Sequence, residues 1–297
     1  MSYALERHEP PGVGLARVIA EQADRLRRDA PGAKTDSVVF VHKARVRCKK
    51  IRAALRLAAP LMGEKAYKRE NAWWRNAARG LSDLRDMSAR IEALQALATY
   101  LRAHISVAQV AALRTRIETQ REAYIERRVK DFGDEHPVEA FIAAVAERAS
   151  HRLEIEPGDI VASLGEGYHA ARKAMKMAFA DGSSMAFHDW RKQVKSHALQ
   201  VRLMQRLPGM AFGERHDDAR DLAELLGGMQ DIEVLMLTLR GKEEAAIGEV
   251  LGTRMSELMG QAGSAGAPLF GLKRKAWLAE VAPGASAFGR EEAGADN

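Results

Sequence analysis

Basic side chains recur at helical spacing between residues 41 and 57, in the stretch VHKARVRCKKIRAALRL. The stretch holds seven Lys or Arg residues and one His, and it contains no acidic residue. A helix turns 100° per residue, so five of these side chains fall within one sector of about 80°. The opposite side carries small and aliphatic residues, which is typical of a helix that packs on a core. The basic sector consists of His42, Arg45, Lys49, Arg52 and Arg56.

A helix face of this kind can bind an anion. Positive side chains three or four residues apart repel each other, and no Glu is interleaved here to turn that repulsion into attraction. A bound polyanion would compensate the repulsion, and the planar guanidinium of Arg can donate two parallel hydrogen bonds to a phosphate group. The pattern therefore predicts a polyanion-binding surface, with an ordinary solvated basic face as the alternative. Arg47 lies off this sector and is expected to pair with an acid or to extend towards solvent.

The same pattern occurs a second time, 146 residues later, in FHDWRKQVKSHALQVRL at 187–203. Downstream of the two copies, LSDLRD at 81–86 aligns with LGGMQD at 226–231 at an offset of 145, so that Asp86 matches Asp231. Upstream, Arg25, Arg27 and Arg28 lie near the positions that match Arg172, Lys173 and Lys176. Three segments in one order at nearly one spacing predict a duplicated helical unit, and two copies of this length do not form a solenoid. The second basic sector consists of His188, Arg191, Lys195 and Arg202, with Lys192 beside it.

Helical periodicity and composition predict an all-α fold. Ala, Leu, Arg, Glu and Met recur throughout, aromatic residues make up only 6%, and no run alternates as a strand would. Pro60 and Pro268 are expected to lie at the end of one helix and the start of another, and Asp36 is expected to cap a helix. The predicted helices span 14–29, 36–59, 64–80, 81–103, 106–131, 137–153, 160–180, 184–207, 214–240, 243–259 and 268–281.

Charge is distributed unevenly between the two halves of the chain. Residues 1–131 carry 27 Lys and Arg against 15 Asp and Glu, whereas the remaining residues carry 19 against 25. A positive field in one half favours anionic partners. Cys48 is the only cysteine, and we see neither a signal-peptide pattern nor an apolar run long enough to span a membrane, so we expect a cytoplasmic protein.

The repeated pattern H-x-x-R-x-x-x-K, together with Arg85-Asp86 and Gln230-Asp231, resembles the CHAD family (conserved histidine α-helical domain). The resemblance covers residues 10–282. It implies two pseudo-symmetric four-helix-type bundles, formed by 10–133 and 137–282, with a central basic channel. The small and polar residues of 283–297 predict a disordered tail. The resemblance also implies non-catalytic binding of inorganic polyphosphate without a cofactor, and an association with polyphosphate granules in some members.

Carried over by position, the resemblance assigns polyphosphate contacts to both copies. This chain departs from the family pattern at Ala198, where the family has Arg, at Ser82 in the first L-G element and at Gln230 in the second. The basic residues nearby extend the expected surface. The full predicted set is His42, Arg45, Lys49, Lys50, Arg52, Arg56, His188, Arg191, Lys192, Lys195, Arg202, Arg25, Arg28, Arg75, Arg79, Arg172 and Lys176.

Two other functions fit parts of the sequence. Sequence-independent binding of RNA or DNA needs only phosphate contacts, although few aromatic residues are interleaved to stack on bases. A metal-dependent phosphohydrolase of the His-Asp type is suggested by His188-Asp189 and by the His-Asp-Asp run at 216–218, since imidazole and carboxylate ligands suit a divalent metal. Asp86 and Asp231 are expected to have a structural role, with metal binding as the alternative. Trp73, Trp74 and Trp190 are expected in the core.

Overall fold

A computed structural model describes residues 3–81, 83–132, 137–149, 153–156, 158–241 and 244–283, and every element in these ranges is helical. A short 3-10 helix at Ala30–Lys34 precedes the second α-helix. The residues between the two expected halves, 133–136, and all of the expected tail at 283–297 except its first residue lie outside the described residues. The α-helices are α1 (Pro11–Asp29), α2 (Ser37–Met62), α3 (Glu64–Gly80), α4 (Asp83–His104), α5 (Val107–Phe132), α6 (Pro137–Ala149), α7 (Val161–Asp181), α8 (Ser184–Met204), α9 (Arg215–Met236), α10 (Ala245–Phe270) and α11 (Arg274–Val281).

The helices that carry the two basic sectors, α2 and α8, pack against each other. α1 and α3 pack on α2, while α7 and α9 pack on α8. Helix α4 packs on α9, and α10 packs on α9 and α7. The buried apolar side chains of the described residues form one cluster that runs through both halves, and it includes Trp74 and Trp190 as expected. Trp73 is half-buried at the edge of this cluster.

Local sequence signals explain where α2 and α8 begin. The Asp36 Oδ1 atom accepts a hydrogen bond from the Val39 amide at 3.0 Å, which confirms the expected cap of α2. The Ser183 hydroxyl accepts one from the Ala186 amide at 3.2 Å at the start of α8. Between α7 and α8, Gly182 adopts the left-handed conformation with φ 73°, which ends α7 one residue past its predicted end at residue 180.

Two predictions about proline were wrong. Pro60 lies inside α2, which continues to Met62 and ends at Gly63 with φ 74°. Pro268 lies inside α10 rather than at the start of the next helix. Both prolines lie within three residues of a helix end, where the missing amide costs a single intrahelical hydrogen bond.

Helix α10 also extends eleven residues past its predicted end at residue 259, through the Gly-rich run GQAGSAGA at 260–267. Tertiary packing explains this extension. A Cβ atom at Gly266 would lie 2.7 Å from the Trp190 ring, and one at Gly263 would lie 3.2 Å from Phe179. The small residues let α10 approach these rings closely, so packing outweighs the low helix propensity of glycine.

No helix in the described part of the chain combines the length and the low charge that a membrane-spanning segment needs.

Candidate anion-binding site

On α2, the basic sector and the core-facing residues lie on different sides of the helix, as the periodicity predicted. Ala44, Ile51 and Ala54 are fully buried, as are Leu55 and Ala58 on the same side. His42 and Lys49 are exposed, while Arg45, Arg52 and Arg56 are half-buried. The helix therefore presents a row of cations along one flank, about 21 Å from first to last at 1.5 Å per residue.

The C-terminal part of this row forms a crowded arginine cluster with α3. The Arg52 Nε atom donates to Asn71 Oδ1 at 2.9 Å, and Arg56 donates to the Ser196 hydroxyl on α8. Burial lowers the pKa of Arg52, and the positive charges of Arg56 and Arg75 lower it further. Neutral partners hold two of the three guanidinium groups, so the cluster keeps a concentrated positive charge. We call Arg52, Arg56 and Arg75 the arginine cluster.

A second group of cations surrounds Lys50 on the other side of the row. The Lys50 Nζ atom lies 5.2 Å from the centroid of the Tyr3 ring, and the Tyr3 hydroxyl donates to the Lys50 carbonyl at 2.8 Å. Burial lowers the pKa of Lys50, and the positive charges of Arg202, Arg47 and Arg25 lower it further. We call Arg25, Arg47, Lys50 and Arg202 the lysine cluster.

One member of the lysine cluster is neutralised. Arg47 donates to Asp29 Oδ2 from Nε at 3.1 Å and from Nη2 at 2.5 Å, which confirms that it pairs with an acid. Tyr3 was not predicted as part of any site. Nothing in the N-terminal sequence indicates that the chain crosses α2 there, because the contact joins residues 47 positions apart.

The first arginine of each sector is anchored in the same way. Arg45 Nη1 donates to the Ala78 carbonyl at 2.9 Å, and Arg191 Nε donates to the Ala223 carbonyl at 3.5 Å. Ala78 and Ala223 are 145 residues apart, which is the offset of the two downstream motifs. Gly227 leaves room for the second of these side chains, since a Cβ atom there would lie 3.0 Å from Arg191 Nη2.

The basic sector of α8 is less strongly charged than that of α2. Lys192 Nζ lies 2.8 Å from Asp189 Oδ1, and both side chains are exposed. His188 is half-buried. Burial lowers its pKa and the positive charge of Lys192 lowers it further, whereas the nearby Gln230 side chain acts in the opposite direction. Ala198, which replaces the arginine of the family pattern, is buried.

The structure does not bring all of the predicted residues together. A Cβ atom at Gly167 would touch Gln200, so this side of α7 faces α8. At 100° per residue, Arg172 and Lys176 lie 140° and 180° around α7 from Gly167, away from α8. Arg28 and Arg79 are exposed on α1 and at the end of α3.

The two His-Asp motifs of the phosphohydrolase alternative do not converge. His188 lies beside Gln230 of α9, whereas His216 lies 14 residues earlier on that helix, about 21 Å away along its axis. In the described part of the chain, no three His, Cys, Asp or Glu side chains come together as metal ligands would. Asp231 is half-buried on α9. The side chains of Arg85 and Asp86 lie outside the described residues, so the role of Asp86 stays a prediction.

Comparison with known proteins identifies the family. No curated protein sequence matches the chain. The solved structure of PptA from Streptomyces chartreusis is similar, with a TM-score of 0.56 and 17% sequence identity over 91% of this chain and 99% of that one. At this identity the likeness concerns the fold alone. The family model of the CHAD domain matches residues 17–240. Because this match covers well over half of the chain and agrees with the repeated histidine pattern, the chain belongs to the CHAD family.

Proposed function

We propose that the protein binds inorganic polyphosphate, without catalysing its turnover, through the face that α2 and α8 form with α3. The observation that carries this proposal is the crowding of cations on α2. Burial lowers the pKa of both Arg52 and Lys50, and neighbouring cations lower each further. Such crowding is unfavourable in the free protein, and a chain of phosphates would relieve it along the whole row.

Reciprocal contacts between α2 and α8 support a duplicated unit with approximate twofold symmetry. Arg56 donates to Ser196, and Lys50 lies within electrostatic range of Arg202. Adding 146 to 50 and 56 gives 196 and 202, so the same two positions meet in both directions. A twofold axis between two copies produces this reciprocity. Such an axis would place both basic sectors along one continuous groove. We propose that this groove is the central basic channel.

Polyphosphate fits this face better than RNA or DNA. The aromatic residues of α2 and α8, Phe40, Phe187 and Trp190, are all buried. Of the aromatic rings near the two clusters, Tyr3 is buried and Tyr67 is half-buried beside Arg52. A nucleic acid would therefore gain phosphate contacts here without the stacking energy of about 1–3 kcal/mol per base that single-strand binders use.

A competition experiment tests the choice of polyanion. Labelled polyphosphate of defined length is bound to the protein and challenged with RNA, DNA, nucleotides and orthophosphate at equal phosphate concentration and fixed salt. We expect unlabelled polyphosphate alone to displace the label efficiently. Equal displacement by RNA would contradict the proposal and would favour general nucleic-acid binding.

The absence of catalysis has its own test. Incubation with polyphosphate or nucleoside triphosphates and divalent metals should release no orthophosphate above a protein-free control. Release of orthophosphate by the wild type that disappears in the His188→Ala variant would contradict the binding proposal and support the phosphohydrolase function. In cells, we propose that the protein associates with polyphosphate granules, and the share of a fluorescent fusion found at granules should fall when the arginine cluster is reversed in charge.

A further inference from the structure

A second basic surface lies on α7 and α11, on the side of α7 that faces away from α8. Arg172 and Lys176 were predicted to join the polyphosphate site, but they point 140° and 180° around α7 from the residue that faces α8. The structure places Arg172 instead beside the basic run at the start of α11, and Lys176 lies one turn further along the same side of α7. The members of this α7–α11 surface are His169, Arg172, Lys173, Lys176, Lys273, Arg274 and Lys275.

Specific contacts hold the start of α11 against α7. The Tyr168 hydroxyl donates to the Leu272 carbonyl at 2.9 Å, and Arg172 Nη2 donates to the Gly271 carbonyl at 3.5 Å. Two residues before Tyr168 on α7, Glu166 forms an ion pair with Arg274. The connection from α10 to α11 therefore lies along α7, and the 273–275 run joins the cations of that helix.

This surface carries little negative charge to balance its cations. Helix α7 carries two acids, Glu166 and Asp181, and none lies between 260 and 270 of α10 or in the first turn of α11, whereas the surface holds six Lys and Arg. All of its members except Arg172 are exposed, and the Arg172 Nε atom is buried without a hydrogen-bond partner among the described residues.

The helix dipole makes this arrangement less favourable still. Cations at a helix N-terminus meet the positive end of the dipole, and Lys273, Arg274 and Lys275 occupy the N-cap and first turn of α11. Glu166 offsets Arg274, so the surface keeps a net positive charge beside the positive end of the helix dipole. A phosphate chain would balance both, since its oxygens accept from Lys and Arg and are attracted to the helix terminus.

We propose that the α7–α11 surface is a second, independent polyphosphate-binding surface, so that one molecule bridges two polyphosphate segments. This inference rests on the proposed function for the ligand, but its surface is separate from the α2–α8 face. Because the two surfaces lie on different sides of the second half, a long chain bound at one leaves the other open to a second segment. The protein then cross-links polyphosphate, and its apparent affinity for long chains exceeds that for short ones through effective concentration.

The test compares two surface variants with a matched control. The α7–α11 variant carries Lys173→Ser, Lys176→Ser, Lys273→Ser and Lys275→Ser. The α2–α3 variant carries Lys49→Glu and Arg75→Glu. The control carries four changes of exposed cations on α3, α4, α5 and beyond α9: Lys65→Ser, Arg102→Ser, Arg114→Ser and Arg240→Ser. Circular dichroism and thermal unfolding establish that all four proteins are folded alike.

Two readouts separate the surfaces. Titration calorimetry with short polyphosphate should give two bound chains per molecule for the wild type and control, and one for each surface variant. Light scattering with long polyphosphate should rise for the wild type and control, and stay flat for both variants. Two bound chains and undiminished scattering in the α7–α11 variant would overturn the inference. So would complete loss of binding in the α2–α3 variant, because the second surface would then have no affinity of its own.

The outcomes also distinguish this inference from the proposed function. If the α2–α3 variant binds as the wild type does while the α7–α11 variant does not bind, the proposed site fails and the second surface stands. If RNA displaces polyphosphate from the α2–α3 variant at equal phosphate concentration, the second surface exists for a different polyanion and the inference is wrong about its partner.

Discussion

The two packed helices α2 and α8 carry matching patterns, but they supply different amounts of usable charge. On α2, Lys49 is exposed, and Arg52 and Arg56 join Arg75 in the arginine cluster. On α8, Lys192 is paired with Asp189, and the positions that match Lys50 and Arg52 hold Ser196 and Ala198. Ser196 receives a hydrogen bond from Arg56. The first helix therefore supplies most of the charge, and the second helps to orient it.

The helices also differ in the core. Ile51 of α2 matches His197 of α8, and both are buried. His197 packs against the Tyr168, Phe270 and Trp277 rings, with centroids 5.8, 5.7 and 5.2 Å away. Burial, assisted by the charge of Arg215, lowers the pKa of His197 to about 3. The second half of the chain, whose basic sector is the less strongly charged, also contains a buried histidine whose protonation is unfavourable in the folded state.

The largest expected effect is a difference in how much polyphosphate affinity is lost when each of the two basic sectors is changed. In a background that already carries the four Lys→Ser changes of the α7–α11 variant, Lys49→Glu with Arg75→Glu should weaken polyphosphate binding roughly 100-fold, because charge-assisted hydrogen bonds contribute about 1.5–3 kcal/mol each. Lys192→Glu with Lys195→Glu should weaken it about tenfold, because Asp189 already offsets one of the two charges. Fluorescence anisotropy at fixed ionic strength measures both, and Arg102→Glu with Arg114→Glu is the matched control. Equal losses from the two sectors would show that both helices contribute alike.

The core difference predicts a pH dependence of stability. The folded pKa of His197 lies below its unfolded value near 6.5, so the unfolded state binds a proton that the folded state does not. Stability therefore falls as pH drops below 6.5, by about 1.4 kcal/mol at pH 5.5 for this group. Urea unfolding at pH 7.5 and 5.5 measures the loss.

His197→Leu should lose less stability than the wild type between these two pH values. His169→Gln, at an exposed position on α7, serves as the control and should keep the wild-type loss. If His197→Leu is as acid-sensitive as the wild type, the buried imidazole is not the group responsible.

A smaller effect is expected when the pairing on α8 is removed. Asp189→Ala leaves Lys192 without its neighbour and should strengthen polyphosphate binding by about two- to fivefold. The cost in stability should be small, since exposed ion pairs contribute about 0–1 kcal/mol. The same anisotropy assay measures the gain. Unchanged binding would place Lys192 outside the contact surface.

Helical periodicity predicted which side of α2 is basic and which is buried, because both follow from positions three or four residues apart. The helix cap formed by Asp36 and the need of Arg47 for an acidic partner were also predictable from neighbouring positions in the sequence. Contacts between distant segments were not predictable in this way. Tyr3 under Lys50 depends on where the segment before α1 crosses α2, and Asn71 beside Arg52 depends on how α3 packs on α2.

The same limit explains the errors. Pro268 and the glycines before it indicated a helix end, whereas close packing of α10 on Trp190 extends the helix through them. Arg172 and Lys176 were grouped with Arg25 and Arg28 by their position in the repeat. Which side of α7 faces α8 is decided by tertiary contacts, and sequence position alone does not report it.

The most direct test of the central claim is a crystal structure of the protein with short polyphosphate bound. The account predicts phosphates along α2, with the closest contacts at Lys49 and the arginine cluster and fewer contacts to α8. Phosphates that contact α8 alone, or a filled α7–α11 surface beside an empty α2, would contradict it.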